Sequence, residues 1–177
     1  MLSTTQRLLG SGAEVRAHPL SGNSVRRIGK LLSASFVPRP EFIPKPKRLT
    51  GAKRAGLGYE KLVVRELRRR LPMEVTHHQW IAFHTEDSGK LQWAEPEGWI
   101  QLKDRIILFE VKLTGGPHGK VQMEGLYKPL LEHIFKLPVY CLLVCKNLPP
   151  NTPGPFFSGP VEFAMAEVPF GTWHWLP

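Results

Sequence analysis

Two charged residues at the end of a strand-like segment have the types and spacing needed for phosphodiester chemistry. The segment Ile106–Leu113 reads as a β-strand, and alternation places Glu110 and Lys112 on the same face as the apolar Leu108. Burying bare charge in such a strand is costly, so a divalent cation would be a suitable partner. Glu110 offers the hard oxygen ligands that Mg²⁺ takes. Lys112 is suited to orienting or deprotonating a water, or to stabilising phosphate charge.

Two further carboxylates belong to the preceding segment. Glu95 and Glu97 flank Pro96, and Gly98 follows, so the chain is expected to bend there. Glu110-Val111-Lys112 is the only acid-x-Lys match in the chain, and its acid follows Glu97 by 13 residues. Glu95 could replace Glu97 if the strand is shifted. The alternative for the whole set is a salt pair at a sheet edge with no catalytic role.

The elements around these residues predict an α/β fold with a mixed sheet. Tyr59, Val63, Leu67 and Leu71 recur every four residues and predict a helix that starts near Gly51 and ends before Pro72. Further predictions are strands at His77–His84, Leu91–Ala94, Trp99–Leu102, Ile106–Leu113 and Val139–Cys145, turns at Glu86–Gly89 and Lys103–Asp104, a loop at Thr114–Gly119, and a helix over Lys120–Lys136 bent near Pro129. If the second and third strands form one bent strand, the order is helix, three-strand meander, helix, strand.

Charge and proline divide the chain into three parts. Residues 1–50 form a basic, Pro-rich arm, residues 51–148 the core, and residues 149–177 a Pro-rich extension with an edge strand at Val161–Val168. Residues 1–59 carry 11 Lys/Arg against two acids, whereas residues 60–177 have no net charge. Such an arm is expected to meet a polyanion or an acidic protein surface, unless it is only a solubilising tail. Oligomerisation is compatible with either reading.

The arm itself shows weak periodicity. Short helical turns are predicted at Thr5–Leu9 and Val25–Leu32, and an extended segment at Ser33–Lys47. The Arg- and Ser-rich composition up to Phe36 also resembles a mitochondrial transit peptide, which would place the protein in the mitochondrial matrix; we rank this reading second.

The cysteines and the hydropathy exclude several classes of protein. Cys141 and Cys145 lie in an apolar run with no CxxC pattern and no nearby histidine pair, so neither a zinc site nor a disulfide framework is expected there. The default is a reduced, intracellular setting. The sequence contains no run of eighteen apolar residues, so neither a transmembrane helix nor a membrane partner is expected.

Taken in order, these motifs resemble the PD-(D/E)XK nuclease superfamily over residues 52–148, about half of the chain. Short phage-encoded members and Holliday-junction-resolvase-like members look most similar. The resemblance implies a restriction-endonuclease-like core. The positions that match the family's site are Glu60 on the first helix, Pro96-Glu97, Glu110-Val111-Lys112, and Gln122 with Tyr127 on the second helix.

The resemblance implies a DNA endo- or exonuclease that depends on Mg²⁺ or Mn²⁺. Glu60, Glu97, Glu110 and the backbone carbonyl of Val111 would hold the ion. Glu97, Glu110, Lys112 and Gln122 would be catalytic, with Gln122 steadying Lys112 or the phosphate. The protein would work in the bacterial host cytoplasm if phage-encoded, or with the virion.

One departure from the family supports another interpretation. Glu97 stands where the family has aspartate, so its longer side chain must fold back to reach the same ion, for which close octahedral geometry is required. The alternative is therefore a catalytically weak or inactive nuclease-fold protein. It would serve as a structural or assembly component, such as part of a phage virion, or as a DNA-binding module.

Several basic residues are candidates for DNA backbone contacts. They are Lys53, Arg54, Arg65, Arg68 and Arg69 on the first helix, with His118 and Lys120 after the predicted strand Ile106–Leu113. A solvated helix face is the alternative for the arginines. His77, His78 and His84 are interpreted as polar strand positions without a metal triad, because alternation sets His78 and His84 on one face and His77 on the other.

Overall fold

The computed structural model describes residues 28–43, 50–158 and 168–177, and these form a mixed α/β fold, as predicted. A π-helical turn, Met123–Tyr127, joins the second and third helices. In chain order the elements are β1 (Leu31–Val37), α1 (Gly51–Arg70), β2 (Val75–His77), β3 (Trp80–Thr85), β4 (Leu91–Ala94), β5 (Gly98–Gln101), β6 (Ile106–Thr114), α2 (Pro117–Gln122), α3 (Lys128–Phe135), β7 (Val139–Asn147), β8 (Phe156–Phe157) and β9 (Phe170–His174).

The strands form two sheets. The larger one has six strands in the order β2-β5-β6-β7-β9-β8, and the smaller one has the order β1-β3-β4. In the larger sheet, β2, β5 and β6 run antiparallel, whereas β6, β7, β9 and β8 run parallel to one another. The predicted mixed sheet is confirmed, and its antiparallel meander is β2-β5-β6.

The two sheets share one bent hairpin. His77 pairs with Gly98 and Ile81 pairs with Ala94, so the same register continues from β2–β5 into β3–β4. Between the two ladders the His78 N–H donates to the Glu97 carbonyl at 3.0 Å. The strand predicted over His77–His84 is therefore interrupted at residues 78–79. The strand predicted to bend between Leu91 and Leu102 does so, but its first half, β4, lies in the smaller sheet and its second half, β5, lies in the larger one.

Helix α1 covers one face of the larger sheet. Its predicted apolar stripe is buried, and Tyr59, Val63 and Leu67 pack against Ile107 and Phe109 of β6. Burial of this stripe holds the helix on the sheet, since packing supplies most helical stability. The helix ends at Arg70, two residues before Pro72, where the Leu71 N–H donates to the Leu67 carbonyl at 2.9 Å.

Helices α2 and α3 cover the opposite face, against Ile106 and Leu108. The structure corrects the predicted Thr114–Gly119 loop, because α2 already begins at Pro117. The bend predicted near Pro129 takes the form of the π-helical turn. Pro129 has no N–H to donate to the Gly125 carbonyl, and that carbonyl accepts the Ile28 N–H at 3.1 Å instead.

Both flanking segments contribute strands. Strand β1 comes from the segment predicted as a basic arm, and it pairs with β3. The helix predicted to end at Leu32 is wrong in its described part, because Leu31 and Leu32 begin β1. Residues 33–37 of the predicted extended segment lie in β1. The helix at Thr5–Leu9 and residues 44–47 and 161–167 lie outside the described part of the chain.

The C-terminal segment also joins the larger sheet, because β9 pairs with β7 on one side and with β8 on the other. Among the described residues, no helix is long and apolar enough to cross a membrane.

Gly98, at the bend, provides a test of this packing. A Cβ on Gly98 would lie 2.3 Å from Phe109 Cζ and 2.5 Å from the Thr76 carbonyl oxygen. Gly98→Ala is expected to lower the free energy of unfolding by about 1–3 kcal/mol through overpacking. Chemical denaturation measures this change.

Gly58→Ala on α1 is the matched control, since no described heavy atom lies within 4 Å of its Cβ position. Alanine should stabilise this helical site by roughly 0.8–1 kcal/mol. Equal effects at both glycines would contradict the close approach at Gly98.

Candidate functional site

The β5–β6 ladder stops where the side chains of Glu97, Glu110 and Lys112 meet, and these three residues form the acidic cleft. The last pair of the ladder is Gly98–Phe109. Beyond it the Glu97 side chain replaces the backbone as the acceptor, because the Val111 N–H donates to Glu97 Oε2. The strands can then part, and the side chains of residues 97, 110 and 112 meet between them.

Lys112 bridges the two carboxylates of this cleft. Its Nζ lies 2.6 Å from Glu110 Oε1 and 3.1 Å from Glu97 Oε1. The Glu110 side chain is only 3% exposed, whereas that of Lys112 is 40% exposed. The structure thus brings together the three residues that the sequence predicted as an acid, acid and lysine set.

The Glu110 carboxylate has one oxygen without a hydrogen-bond partner. Oε2 is fully buried and finds no donor among the described residues. Burial raises the pKa of Glu110 above its usual range. Burial and the nearby Glu110 charge also raise the pKa of Glu97, to about 8. One ammonium group does not balance two carboxylates, so this site favours a further cation or a proton.

Glu60 approaches the same region from α1 but is held by two histidines. Its Oε1 lies 2.8 Å from His77 Nε2 and 2.8 Å from His78 Nε2. His78 Nδ1 lies 3.4 Å from Glu95 Oε1 on the other arm of the hairpin. One donor atom each from Glu60, His77 and His78 lie within 4.8 Å of one another, so the three side chains could hold a metal ion.

Glu60 and His78 each stabilise the charged form of the other. Although burial alone raises the pKa of Glu60, hydrogen bonds from His77 and His78 lower it to about 2. The hydrogen bond to Glu60, together with one to Glu95, raises the pKa of His78 to about 10. The Glu60 charge in turn acts on Glu97 and Glu110, raising the pKa of both. The two clusters are therefore coupled through the charge of Glu60.

The prediction that His77 and His78 point to opposite faces is wrong. His78 has φ 57°, a left-handed backbone conformation that breaks strand alternation. Both rings turn to the same side, with centroids 3.9 Å apart. The sequence offered one signal that could have revealed this, the pairing of two adjacent histidines with the bend at Glu95-Pro96-Glu97. His84 lies further along, in the β3–β4 ladder.

Three other predicted site residues occupy related positions. Gln122 Nε2 donates to Tyr127 Oη at 2.6 Å, so the predicted pair on the second helix is in contact. Burial raises the pKa of Tyr127 above its usual range, and the charges of Glu110 and Glu97 raise it further. Val111 takes part through its N–H, and its carbonyl as a metal ligand stays a prediction.

The predicted basic residues are spread over several surfaces. Lys53 and Arg54 are exposed on the first turn of α1. Arg69 is paired with Glu66 at 2.9 Å, and Arg68 donates to the Val75 carbonyl at 3.2 Å. His118 is exposed on α2, whereas Lys120 Nζ lies 4.8 Å from the Phe170 ring centroid. Arg65 is exposed in the C-terminal half of α1.

Comparison of the chain with family models, with curated proteins and with solved structures found no match.

The pKa of His78 tests the Glu60 cluster. In metal-free protein, His78 should stay protonated at pH 7.5, because its pKa is raised to about 10. Its stabilising effect should be complete below the ordinary pKa of 6.5 and should be lost as the pH rises through about 10. Glu60→Gln should return the pKa towards 6.5, as measured by histidine NMR titration.

Glu74→Gln, on an exposed position before β2, removes the same charge and is the control. A His78 pKa that does not change in Glu60→Gln would show that Glu60 does not hold this proton.

Proposed function

We propose that this chain is a metal-dependent phosphodiesterase that acts on DNA, with Glu97, Glu110 and Lys112 at its reacting centre. The observation that carries the proposal is the buried Glu110 Oε2, which accepts no hydrogen bond from an N–H or hydroxyl group among the described residues; the neighbouring Glu97 carboxyl can donate to Glu110 only when it is protonated. A carboxylate oxygen buried in a polar cleft without a donor is what a cation ligand requires. Its partner oxygen Oε1 is 2.6 Å from Lys112 Nζ, so the side chain is already oriented.

The order of the elements supports membership of the PD-(D/E)XK superfamily. A helix (α1), an antiparallel meander (β2, β5, β6), a helical layer (α2 and α3) and a parallel strand (β7) follow one another. The β3–β4 half of the hairpin is an addition to that order. We propose that this is a restriction-endonuclease-like core, and that residues before β1 supply a basic arm.

The donor set fits a divalent cation. Four carboxylates, from Glu60, Glu95, Glu97 and Glu110, face Lys112 and the protonated His78. The raised pKa values of Glu97 and Glu110 mean that this site takes up a proton or a cation, and the oxygens of both residues are suitable ligands for Mg²⁺ or Mn²⁺. When bound there, such an ion would lower the pKa of a water and neutralise charge on the scissile phosphate.

The protein's own groups would position the reactants. Lys112 Nζ, held between two carboxylates and 40% exposed, can donate to a water or to a phosphate oxygen. The charges of Glu110 and Glu97 raise the pKa of Lys112 above its usual range despite its partial burial. Lys112 therefore stays protonated and acts as a donor, so orienting water is a better role for it than removing a proton. Gln122, through Tyr127, would support the same cleft.

Helix geometry selects among the basic residues. Lys53 lies seven residues before Glu60, so it shares the same stripe of α1 within about 20° and lies about 10 Å along the axis. Arg65 lies about 140° around the helix from Glu60. A DNA backbone that reaches Glu97 and Glu110 would pass near Lys53, and we propose Lys53 as the backbone contact on this helix.

Plasmid cleavage tests the reacting centre. Purified protein with Mn²⁺ or Mg²⁺ should nick supercoiled plasmid, and Lys112→Ala should lower the nicking rate by at least about a hundredfold. Glu110→Gln should have a similar effect, because it removes the charge that holds Lys112. Gel quantification of the open-circular product measures the rate.

Lys103→Ala, at an exposed lysine in the β5–β6 turn, is the control and should cut as the wild type does. Circular dichroism should show that each variant is folded. Nicking that survives in Lys112→Ala, or is absent from the wild type with every divalent ion tried, would refute the proposal.

One observation favours the catalytically inactive alternative. Both Glu97 oxygens already have partners, because Oε2 accepts the Val111 N–H and Oε1 faces Lys112. If these contacts persist when DNA is bound, the protein would bind DNA or a partner protein as an assembly component without cutting. Wild type and Lys112→Ala would then bind DNA equally and be equally inert.

DNA affinity tests the choice of basic residues. Lys53→Ala should weaken binding of a short duplex and reduce the slope of log affinity against log salt by about 0.9, the loss of one phosphate contact. Arg65→Ala, an equal change of charge on the same helix, should have the smaller effect. Fluorescence anisotropy in chelator at several salt concentrations measures both, and equal effects would contradict the assignment.

A further inference from the structure

We propose that Glu60, His77 and His78 bind a first-row transition ion at the hairpin bend, for which Zn²⁺ and Mn²⁺ are suitable probes. The ion's role rests on the proposed function, because the Glu60 charge acts on Glu97 and Glu110 and the ion would lie beside the reacting centre. Its binding does not rest on that function and can be measured in a protein that cuts nothing.

The donor atoms already converge. Glu60 Oε1 lies 2.8 Å from Nε2 of His77 and 2.8 Å from Nε2 of His78. All three donor atoms lie within 4.8 Å of one another. Ligands of a tetrahedral zinc ion with bonds of about 2.0–2.1 Å are about 3.3 Å apart. The oxygen and each nitrogen therefore need to separate by only about half an ångström to accept an ion between them.

The chemistry of the donors selects the class of ion. Imidazole suits zinc, copper, iron and nickel, whereas Mn²⁺ prefers oxygen ligands and Mg²⁺ takes an oxygen shell with several waters. Two imidazoles and one carboxylate give three protein ligands, as in catalytic zinc sites, and leave a position for water or substrate. An all-oxygen Mg²⁺ site would not use His77 and His78.

A fourth residue supports this arrangement. His78 Nδ1 lies 3.4 Å from Glu95 Oε1, on the opposite side of the ring from Glu60. Metal-ligating histidines commonly donate their second nitrogen to a carboxylate, which fixes the tautomer and the ring orientation. Glu95 thus holds the His78 ring with Nε2 directed at Glu60, and it is a positioning residue.

The backbone is arranged to bring the two histidines together. Consecutive strand residues normally point to opposite faces. His78 instead has φ 57°, a left-handed conformation that is unfavourable for a residue with a β-carbon. Its N–H donates to the Glu97 carbonyl at 3.0 Å, which fixes the distorted residue to the segment that carries the acidic cleft.

A proton shared by His78 and Glu60 is the competing occupant of the position between them. In that case the cluster is an ion pair that secures α1 to the hairpin, and it binds no transition ion. The two possibilities make opposite predictions for a titration with metal.

Calorimetric titration separates them. Full-length, tag-free protein is stripped with chelator, dialysed and titrated separately with Zn²⁺, Mn²⁺ and Mg²⁺. We expect one Zn²⁺ per chain, weaker binding of Mn²⁺, and at least about a hundredfold weaker binding of Mg²⁺. His77→Ala and His78→Asn should each weaken Zn²⁺ binding by at least about a hundredfold, and Glu95→Gln by roughly ten- to a hundredfold.

The controls are chosen to keep the fold. Asparagine tolerates the positive φ at position 78, and His84→Asn makes the same change at a half-buried histidine of β3, so it should bind Zn²⁺ as the wild type does. Circular dichroism checks folding. NMR of the wild-type imidazoles should show Zn²⁺-dependent shifts at His77 and His78 but not at His84.

Two outcomes overturn the proposal: no Zn²⁺ binding by the wild type, or unchanged binding in both His77→Ala and His78→Asn. Lys112→Ala separates this proposal from the nuclease proposal, because it should lose nicking but keep one Zn²⁺ per chain. Zinc binding in a wild type that never nicks DNA would support the metal site and refute the nuclease.

Discussion

The contact between Glu110 and Lys112 constrains the rest of this structure. A carboxylate that is almost fully buried on an apolar central strand cannot remain charged without compensation, and Lys112 Nζ at 2.6 Å supplies part of it. The lysine is shared with Glu97, which in turn accepts the Val111 N–H. Because these contacts need the space between β5 and β6, the backbone ladder must stop at Gly98–Phe109.

The bent hairpin follows from the same requirement. On the N-terminal side of Gly98 this arm of the hairpin lies outside the larger sheet, and its β4 pairs with β3 in the smaller one. The left-handed conformation of His78 allows the opposite arm to turn with it, while the hydrogen bond to the Glu97 carbonyl preserves the register. The bend thus places two histidines against Glu60 and a second acidic cluster beside the first.

Helices on both faces of the larger sheet position the residues of the site. Helix α1 buries its apolar stripe on one face and brings Glu60 to the hairpin from that side. The second helical layer packs on the other face, and its π-helical turn ends at Tyr127, whose pKa is raised by burial and by the charges of the acidic cleft. π-helical turns often occur at functional sites, since they shift the side chains that follow them. Here the Gly125 carbonyl, unable to bond to Pro129, accepts the Ile28 N–H from the N-terminal segment.

Local pattern was sufficient to predict much of the acidic cleft. Alternation along β6 correctly placed Glu110 and Lys112 on one face, and the four-residue repeat from Tyr59 to Leu67 predicted the buried side of α1. Both predictions follow from the repeat of the secondary structure, because the backbone geometry of a strand or a helix sets the face on which each side chain lies. Pro96 and Gly98 also marked the bend, because they restrict or permit backbone conformations wherever they occur.

By itself, the sequence determined the mixed α/β class, the apolar faces and the shared face of Glu110 and Lys112. Only the tertiary structure decided that β1 and β9 join the sheets, because the partners of a strand lie far away in sequence and no local pattern specifies them. It also decided that His77 and His78 share Glu60. The positive φ of His78 breaks the strand alternation. Contacts with Glu60 on α1 and with Glu95 on the opposite arm of the hairpin offset the conformational cost of this residue.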